Sequence, residues 1–371
     1  TIERNTMVDM NTVFGVSGIR LVPYPAQFAV PLFPIEVKKQ CLWELKERYD
    51  NIKKFSPKTF EDWVNMHLGP TIHDVFFRSY NRKVWTVETS EMNSNWVGLR
   101  VAKLPQEKLE EMCAMDPSEL EKADLGWGGN ARFKYPKRGG TGAVWKAVEK
   151  RLPAKWFNYN TNVVSIDATS KFVEYTDQNG ERREQDYDVL LSTIPADQLI
   201  EHTKLTAPLK VLYNKVFVVG VGLRKPTAEI PAKHTWLYFP DEAVPFFRVT
   251  MISRFGEMTP DDSKYWSLLV ECSLKVENEA SEEVLSEQVL DGLVYKNLIR
   301  REDVVHVWKK TIPYGYPIPS LHRDSEMARA HAALERASIY SRGRFGGWKY
   351  EVSNQDHCFI QGKEFIDRIL F

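Results

Sequence analysis

A mixed α/β (α+β) fold in more than one part is what the sequence predicts, and three observations carry it. Apolar residues recur at helical spacing from Phe33 to about Asp124. A helical run, AVWKAVEKRL, is followed by the strand-like segments NVVSID, KFVEYTDQNGERREQ and YDVLLSTIP. Between Leu209 and Val307 several β-rich runs follow one another, broken by one helical stretch from Ser281 to Leu298. At 371 residues the chain exceeds what one hydrophobic core usually organises, so two or three sub-structures are expected.

The helical region comes first, in CLWELKERYDNIKKF and TFEDWVNMHLGPTIHDVFFRSYN. Thr59 before Phe60-Glu61-Asp62 reads as an N-cap with acids in the first turn, where the helix dipole favours them. Gly69-Pro70 ends that helix and begins another, which puts Trp63 and Arg78 near the far ends of a helix pair. Next, Arg138-Gly139-Gly140-Thr141-Gly142 opens a helix, and Asn179-Gly180 marks a hairpin turn. The runs KVFVVGVGL, HTWLYFP, FFRVTMIS, YWSLLVECSL and VVHVWKKTI predict an antiparallel sheet carrying the Ser281–Leu298 helix. The chain closes with SRGRFGGWKYEV, a Gly-rich turn, running into a final helix.

Fifty Lys and Arg against fifty Asp and Glu remove the electrostatic case for a nucleic-acid or anionic-membrane protein, so phosphate binding must be local. Hydrophobic content of 43% with 27% charged residues argues for a folded chain over a disordered one. The longest apolar run, Val216 to Leu223, is far short of the roughly 20 residues that span a bilayer. With no signal-peptide core in TIERNTMVDM, the expectation is a soluble, cytoplasmic protein. Cys41, Cys113, Cys272 and Cys358 form no CxxC pair, and the eight His show no ligand spacing, so reduced thiols and no metal are expected.

The GGTG segment admits two readings: a tight turn before a helix, or backbone that approaches a phosphate or flat ring closely because side chains are missing. It lacks the Lys-Ser/Thr of a P-loop, and Gly220-Val221-Gly222 fails the dinucleotide spacing likewise. Tyr24, Tyr238, Tyr316 and Tyr350 lie beside Pro or Gly in turn or strand-edge contexts, where a half-buried ring with a wet hydroxyl is the plain alternative to a ligand contact. The same choice applies to Arg78, Arg248 and Arg344. Arg248, in PFFRVT, must find an anion or carboxylate if it points inward, or else lies on a solvent face.

Together these motifs resemble the eukaryotic-type UDP-galactopyranose mutases, within the flavin amine-oxidase and protoporphyrinogen-oxidase superfamily. The resemblance rests on VPYPAQ (22–27), FEDWVNMHLG (60–69), FFRSYNRKVW (76–85), NWVGLRVA (95–102), GGNARFKYPKRGGTGAVW (128–145), YDVLLSTIP (187–195), WLYFP and PFFR (236–248), GYPIPSL (315–321) and RGRFGGWKYEVSNQDHCFIQGKE (342–364). It implies an isomerase that interconverts UDP-galactopyranose and UDP-galactofuranose for glycoconjugate or cell-wall synthesis. Reduced FAD would supply N5 as the nucleophile, through a sugar adduct, with NADPH as electron donor. Arg78 and Arg248 then match arginines gripping the pyrophosphate, and Tyr238, Tyr316 and Tyr350 match tyrosines bonded to it. Tyr24, Gln27 and Trp63 match the uridine side. Gly139 and Gly140 would pass close to the flavin, and Arg344, Asn354, Gln355 and Asp356 fall in the C-terminal flavin segment.

The implied fold is an incomplete Rossmann-like FAD-binding domain (1–30, 131–207 and 335–371), an inserted helical, uridine-side domain (31–130) and an antiparallel sheet domain (208–334). The family's opening Gly-x-Gly-x-x-Gly and the acid about 20 residues on are not among these residues, and FGVSG (14–18) does not replace them. Thr1 to Arg20 has no counterpart, the family's histidine loop is missing, and Ala26 and Phe28 stand where a Phe and an Asn are expected. The expectation is therefore a partial gene product. Two other readings follow: a non-catalytic protein that binds UDP-sugar but not FAD, and a flavin-dependent amine or porphyrinogen oxidase. The oligomeric state stays open.

Overall fold

The computed structural model describes residues 1–49, 56–98, 100–103, 105–116, 119 and 132–370. The end of the expected helical region, to Asp124, and the start of the GGNARFKYP motif lie outside these. The described chain divides into two compact units.

The first unit comprises residues 1–94, 101–146 and 214–315. Its seven-stranded sheet has the order Val304–Ile318, Leu212–Arg224, Tyr265–Leu274, Arg248–Thr250, Trp236–Tyr238, Thr6–Asp9, Leu21–Pro23. Thr6–Asp9 runs parallel to Trp236–Tyr238, whereas the pairs leading from Trp236–Tyr238 to Leu212–Arg224 are antiparallel. Register puts Leu237, Val249, Val270 and Val219 in one row, all fully buried. Helix Glu282–Tyr295, N-capped by Ser281, packs Leu285, Val289, Leu290 and Leu293 into the same core. Because side chains alternate along a strand, the neighbouring row, Tyr238, Arg248 and Glu271, belongs to the opposite face.

The sequence reading groups residues 1–30 with 131–207 and 335–371; the structure makes Thr6–Asp9 and Leu21–Pro23 strands of the large sheet instead. Val8 and Met10 are fully buried, and Asn5 O accepts hydrogen bonds from the Thr235 amide and hydroxyl. Four residues, TMVD, are too few for period-two alternation to separate a strand from a loop.

Helices Ile35–Tyr49, Phe60–His67, Arg78–Trp85 and Gln106–Ala114 fill the predicted helical region. Thr59 and Asp62 form a reciprocal capping box, as the pattern predicts. Gly69 breaks the chain beside Glu44, whose carboxylate takes the Thr71 amide at 2.9 Å and its hydroxyl at 2.7 Å, leaving no room for a Cβ at 69. A π stretch, His73–Phe77, precedes Arg78–Trp85 and was not legible from spacing.

Burial, with the Lys103 charge added, lowers His67 from 6.5 to about 4. Burial also lowers His73, whose Nε2 lies 2.8 Å from Thr89 Oγ1. Both rings fold neutral, so the unfolded chain binds their protons at higher pH than the folded one does. The contribution of His67 to stability is full above 6.5 and is lost as pH falls towards 4, and that of His73 is lost in the same direction. The urea midpoint should drop across that window, and His67→Gln should flatten the drop. An unchanged slope in the variant would remove His67 from the account.

The second unit comprises residues 95–100, 147–213 and 316–371. It holds an antiparallel three-stranded sheet, Asn162–Asp167, Phe172–Thr176 and Arg182–Asp186, with its turn at Gly180 (φ 79°). It also holds a parallel pair, Leu190–Ser192 with Ile339–Ser341. Helices Ala196–Thr203 and Arg323–Arg336 cover it through Leu199, Ile200, Ala330 and Leu334, packed with Ile166 and Ile339. Parallel pairing beside helices matches the α/β character read from residues 143–195. All four cysteines are free thiols, and burial pushes Cys41 and Cys272 up to about 12. Among the described residues no helix is long and apolar enough to cross a membrane.

Candidate functional site

In the first unit, Tyr238 and Arg248 are direct register partners on adjacent strands, and Arg248 is in turn the partner of Glu271. Arg248 donates from Nε to Glu271 Oε2 at 2.5 Å and from Nη2 to Oε1 at 2.6 Å. Part-buried on the face opposite the core, the arginine has a carboxylate partner, and the fork fixes the plane of its guanidinium. Its side chain remains 28% exposed, enough for a second anion to reach it.

The Tyr238 ring stands 4.8 Å from that of Tyr24 and 5.8 Å from that of Tyr80, and Tyr80 stacks on Phe76 at 5.1 Å. Tyr80 was missed by the sequence reading. Its signal is the spacing Phe76, Tyr80 on one helix face, next to Arg78 in FFRSYN. Arg78 is half-exposed and pairs with Asp74 at 2.8 Å one turn earlier.

Two cations join the helix of Arg78 to the loop between Tyr238 and Arg248. Lys83 Nζ donates to Asp241 O at 2.6 Å and to Val244 O at 2.9 Å, and Arg82 pairs with Glu242. Burial lowers Lys83 from 10.5 to about 7. Beneath that loop, Lys296 Nζ sits fully buried, 2.7 Å from Asp9 Oδ2 and 2.5 Å from Asp241 Oδ2. The loop between Tyr238 and Arg248 is thus tied to the helix that carries Arg78.

The uridine-side candidates are more deeply placed than their motifs imply. Trp63 is buried against His67 at 4.7 Å, with Lys103 Nζ 5.5 Å from its ring. Gln27 is buried and donates to Ala102 O at 2.9 Å, whereas its Oε1 has no hydrogen-bond partner among the described residues. Ala26 and Phe28 are core residues, so the positions where the resemblance expects a Phe and an Asn pack the interior here. A cavity of about 240 Å³, bounded by Lys225, Arg254 and Trp266 among others, holds none of the candidates.

Also in this unit, Gly139 and Gly140 adopt φ of 75° and 62°, the left-handed region where glycine is unstrained, just ahead of helix Gly142–Glu149. A Cβ at Gly142 would meet nothing within 4 Å, so backbone there lies open.

In the second unit, the rings of Tyr316 and Tyr350 stand 5.7 Å apart, edge to face. The Arg344 guanidinium lies 5.6 Å from the Tyr316 ring, and its Nη1 is buried without a hydrogen-bond partner among the described residues. Arg100, which the sequence reading passed over, lies 5.5 Å from the Tyr350 ring and donates to Glu351 O from Nε and Nη2. Its signal was the NWVGLRVA motif. Asn354, Gln355 and Asp356 are exposed at the start of helix Gln355–Leu370.

A family model described as flavin containing amine oxidoreductase matches residues 21–340. Among solved structures, that of a reduced UDP-galactopyranose mutase aligns over 99% of this chain and 77% of its own, with 35% identity and a TM-score of 0.87. A putative protoporphyrinogen oxidase from Exiguobacterium sp. 255-15 aligns over 98% of this chain and 80% of its own, at 15% identity and a TM-score of 0.64. An oxidoreductase from Methanosarcina mazei aligns over 98% and 82%, at 13% identity and 0.59. These last two share the fold alone.

Proposed function

The chain belongs to the family of flavin-containing amine oxidoreductases, and from that premise we propose that it is a UDP-galactopyranose mutase-like isomerase, interconverting UDP-galactopyranose and UDP-galactofuranose with FAD as cofactor and NADPH as electron donor. The observation that carries the substrate half is the pairing of Tyr238 with Arg248 in register, with Glu271 locking the guanidinium. An amine or porphyrinogen oxidase has no evident use for a cation so fixed beside a tyrosine hydroxyl.

The residues present fit FAD on two observations. Backbone at Gly142 is free of side-chain cover, which suits close approach by a flat ring, and the Tyr135 hydroxyl is the side-chain neighbour of Gly140. Arg344 keeps a buried donor nitrogen without a partner among the described residues, which suits an anionic or carbonyl acceptor. Reduced FAD, when bound, supplies nucleophilic chemistry at the anomeric carbon of the sugar.

The chain's own residues supply binding and charge. Arg248 and Arg78 take the diphosphate, and their fixed positive charge stabilises the negative charge that UDP gathers as its bond to the sugar weakens. Tyr238 and Tyr24 offer hydroxyls beside Arg248. Trp63 and Gln27 are proposed for the base side, from their buried positions, the orphaned Gln27 Oε1 being the acceptor for a ring N–H. Tyr316 and Tyr350 are proposed as hydroxyl donors to phosphate, and Asn354, Gln355 and Asp356 as flavin contacts at a helix start. The flavin side is assigned to 131–207 and 335–371, the uridine side to 31–130 and the sheet to 208–334, with residues 1–30 now joined to the sheet.

The test is the absorbance spectrum of the purified chain with and without FAD, alongside UDP binding and turnover of UDP-galactofuranose under reducing conditions. Bound flavin, bound UDP and turnover are expected. UDP binding without flavin would leave a non-catalytic nucleotide-sugar binder, and flavin without UDP binding would return the oxidase reading.

A further inference from the structure

The glycine turn at 139–140 is anchored by Phe255, Gly256 and Glu257, which lie outside every motif quoted above. Upstream of it, the Phe133 ring packs against Trp236 at 5.0 Å and Phe255 at 5.3 Å, and Tyr135 against Phe255 at 5.3 Å. The Glu257 amide then donates to Lys137 O at 2.7 Å. The Glu257 carboxylate bridges two cations, Lys137 Nζ at 2.7 Å from Oε1 and Arg138 Nε on Oε2. Gly256 lies so near that a methyl there would stand 3.0 Å from the Lys137 carbonyl carbon and nearer still to its oxygen. The requirement for glycine at 256 is close approach of two backbones, because no positive φ is involved.

The clasp continues directly from the strand that carries Arg248. After Arg248–Thr250 comes the turn Ile252–Arg254, and after that Phe255, Gly256 and Glu257. One short segment thus supplies both the fixed arginine and the grip on the glycine turn. We propose that Gly256 and Glu257 are positioning residues, which clasp the Lys137–Gly140 turn and hold it in place relative to Arg248 for the flavin. The inference rests on the reading of Gly139 and Gly140 as flavin-facing.

The side chains of Lys137 and Arg138 are 79% exposed, so their ion pairs alone hold little. The backbone hydrogen bond and the close packing at Gly256 carry the clasp, and the carboxylate sets its alignment. A turn released from this grip must be ordered again on binding, which weakens affinity without removing any ligand contact.

The experiment compares the parent chain with Gly256→Ala, Glu257→Ala and Glu257→Gln in two readouts. The first is tryptic cleavage after Lys137 and Arg138, referred to cleavage at Arg182 and Arg183 in the exposed hairpin. The second is the affinity for FAD set against that for UDP. In Gly256→Ala, cleavage is expected to quicken about fivefold or more and FAD affinity to fall by a similar factor, with a smaller change of the same sign in Glu257→Ala, which keeps the backbone hydrogen bond, and with UDP affinity within about twofold of the parent in both. Glu257→Gln, which keeps the amide donor and an accepting oxygen, should lie between parent and Glu257→Ala. Unchanged cleavage in both alanine variants would overturn the clasp. Faster cleavage with undiminished FAD affinity would overturn its role towards the flavin. A parent chain that binds no FAD would sink the cofactor reading instead, and the positioning role with it, while the cleavage rates still decide whether the clasp exists.

Discussion

Lys296→Met is expected to lower the melting temperature of the sheet-bearing unit by roughly 10 °C, the equivalent of about 3–5 kcal/mol, because it leaves two carboxylates facing each other in the interior. Lys296, Asp9 and Asp241 are all buried. Lys296 Nζ also donates to Gly18 O at 2.7 Å. Asp9 accepts the Arg20 amide at 2.8 Å, and Asp241 accepts the Ala243 amide at 2.9 Å and Asn11 Nδ2 at 3.1 Å. Burial raises Asp9 despite these bonds. At Asp241 burial acts in the same direction, but the Lys296 hydrogen bond and the Ala243 amide outweigh it, and the net shift is downward. Without the ammonium both carboxyls move up, so the folded variant takes up a proton that the unfolded chain binds only at lower pH. The deficit against the parent is therefore largest at pH 8 and shrinks as pH falls towards 5. Adding Asp9→Asn should recover much of the loss, since removing one carboxylate along with the cation leaves less uncompensated charge. A deficit below about 1 kcal/mol, or one indifferent to pH, would show that water reaches the cluster and that the ions are not dry.

That cluster marks the limit of what the sequence discloses. Thr59 with Asp62, the Gly69-Pro70 break, the Asn179-Gly180 turn and the helix after Ser281 are local signals, each contained within a few residues, and each is found where the pattern places it. Asp9, Asp241 and Lys296 meet only because a short parallel strand from the start of the chain joins the sheet beside Trp236–Tyr238. No period or motif in TMVD announces that. Arg248 was legible as an arginine in need of an anion, but Glu271 as its partner follows from strand register alone. Gly256 gave no sign of its neighbour Lys137, because a close approach of two backbones leaves no spacing in either segment. Tyr80 and Arg100 lie inside FFRSYNRKVW and NWVGLRVA, where spacing alone does not separate a clustered aromatic or stacked arginine from a solvent-facing one.

Arg248→Ala should cost the proposed nucleotide-sugar site ten- to hundredfold in UDP affinity, about 1.5–3 kcal/mol, as expected for a charge-assisted contact to phosphate. The structure adds a complication, because the same substitution leaves Glu271 buried without its forked donor. Loss of binding then comes from local disorder of the sheet's central strands as readily as from the missing charge. Glu271→Gln in the Arg248→Ala background separates the two. It removes the stranded carboxylate, so the melting temperature should recover towards the parent while UDP affinity stays low. Arg248→Lys keeps the charge but cannot hold Glu271 with two nitrogens in a plane, and should fall between parent and alanine in both readouts. Glu271→Gln alone should leave UDP bound but more weakly, because the guanidinium keeps its charge and loses its fixed orientation. UDP affinity within twofold of the parent in Arg248→Ala would remove Arg248 from the site. Tyr238 and Arg248 would then be a sheet-surface pair whose purpose is to satisfy Glu271.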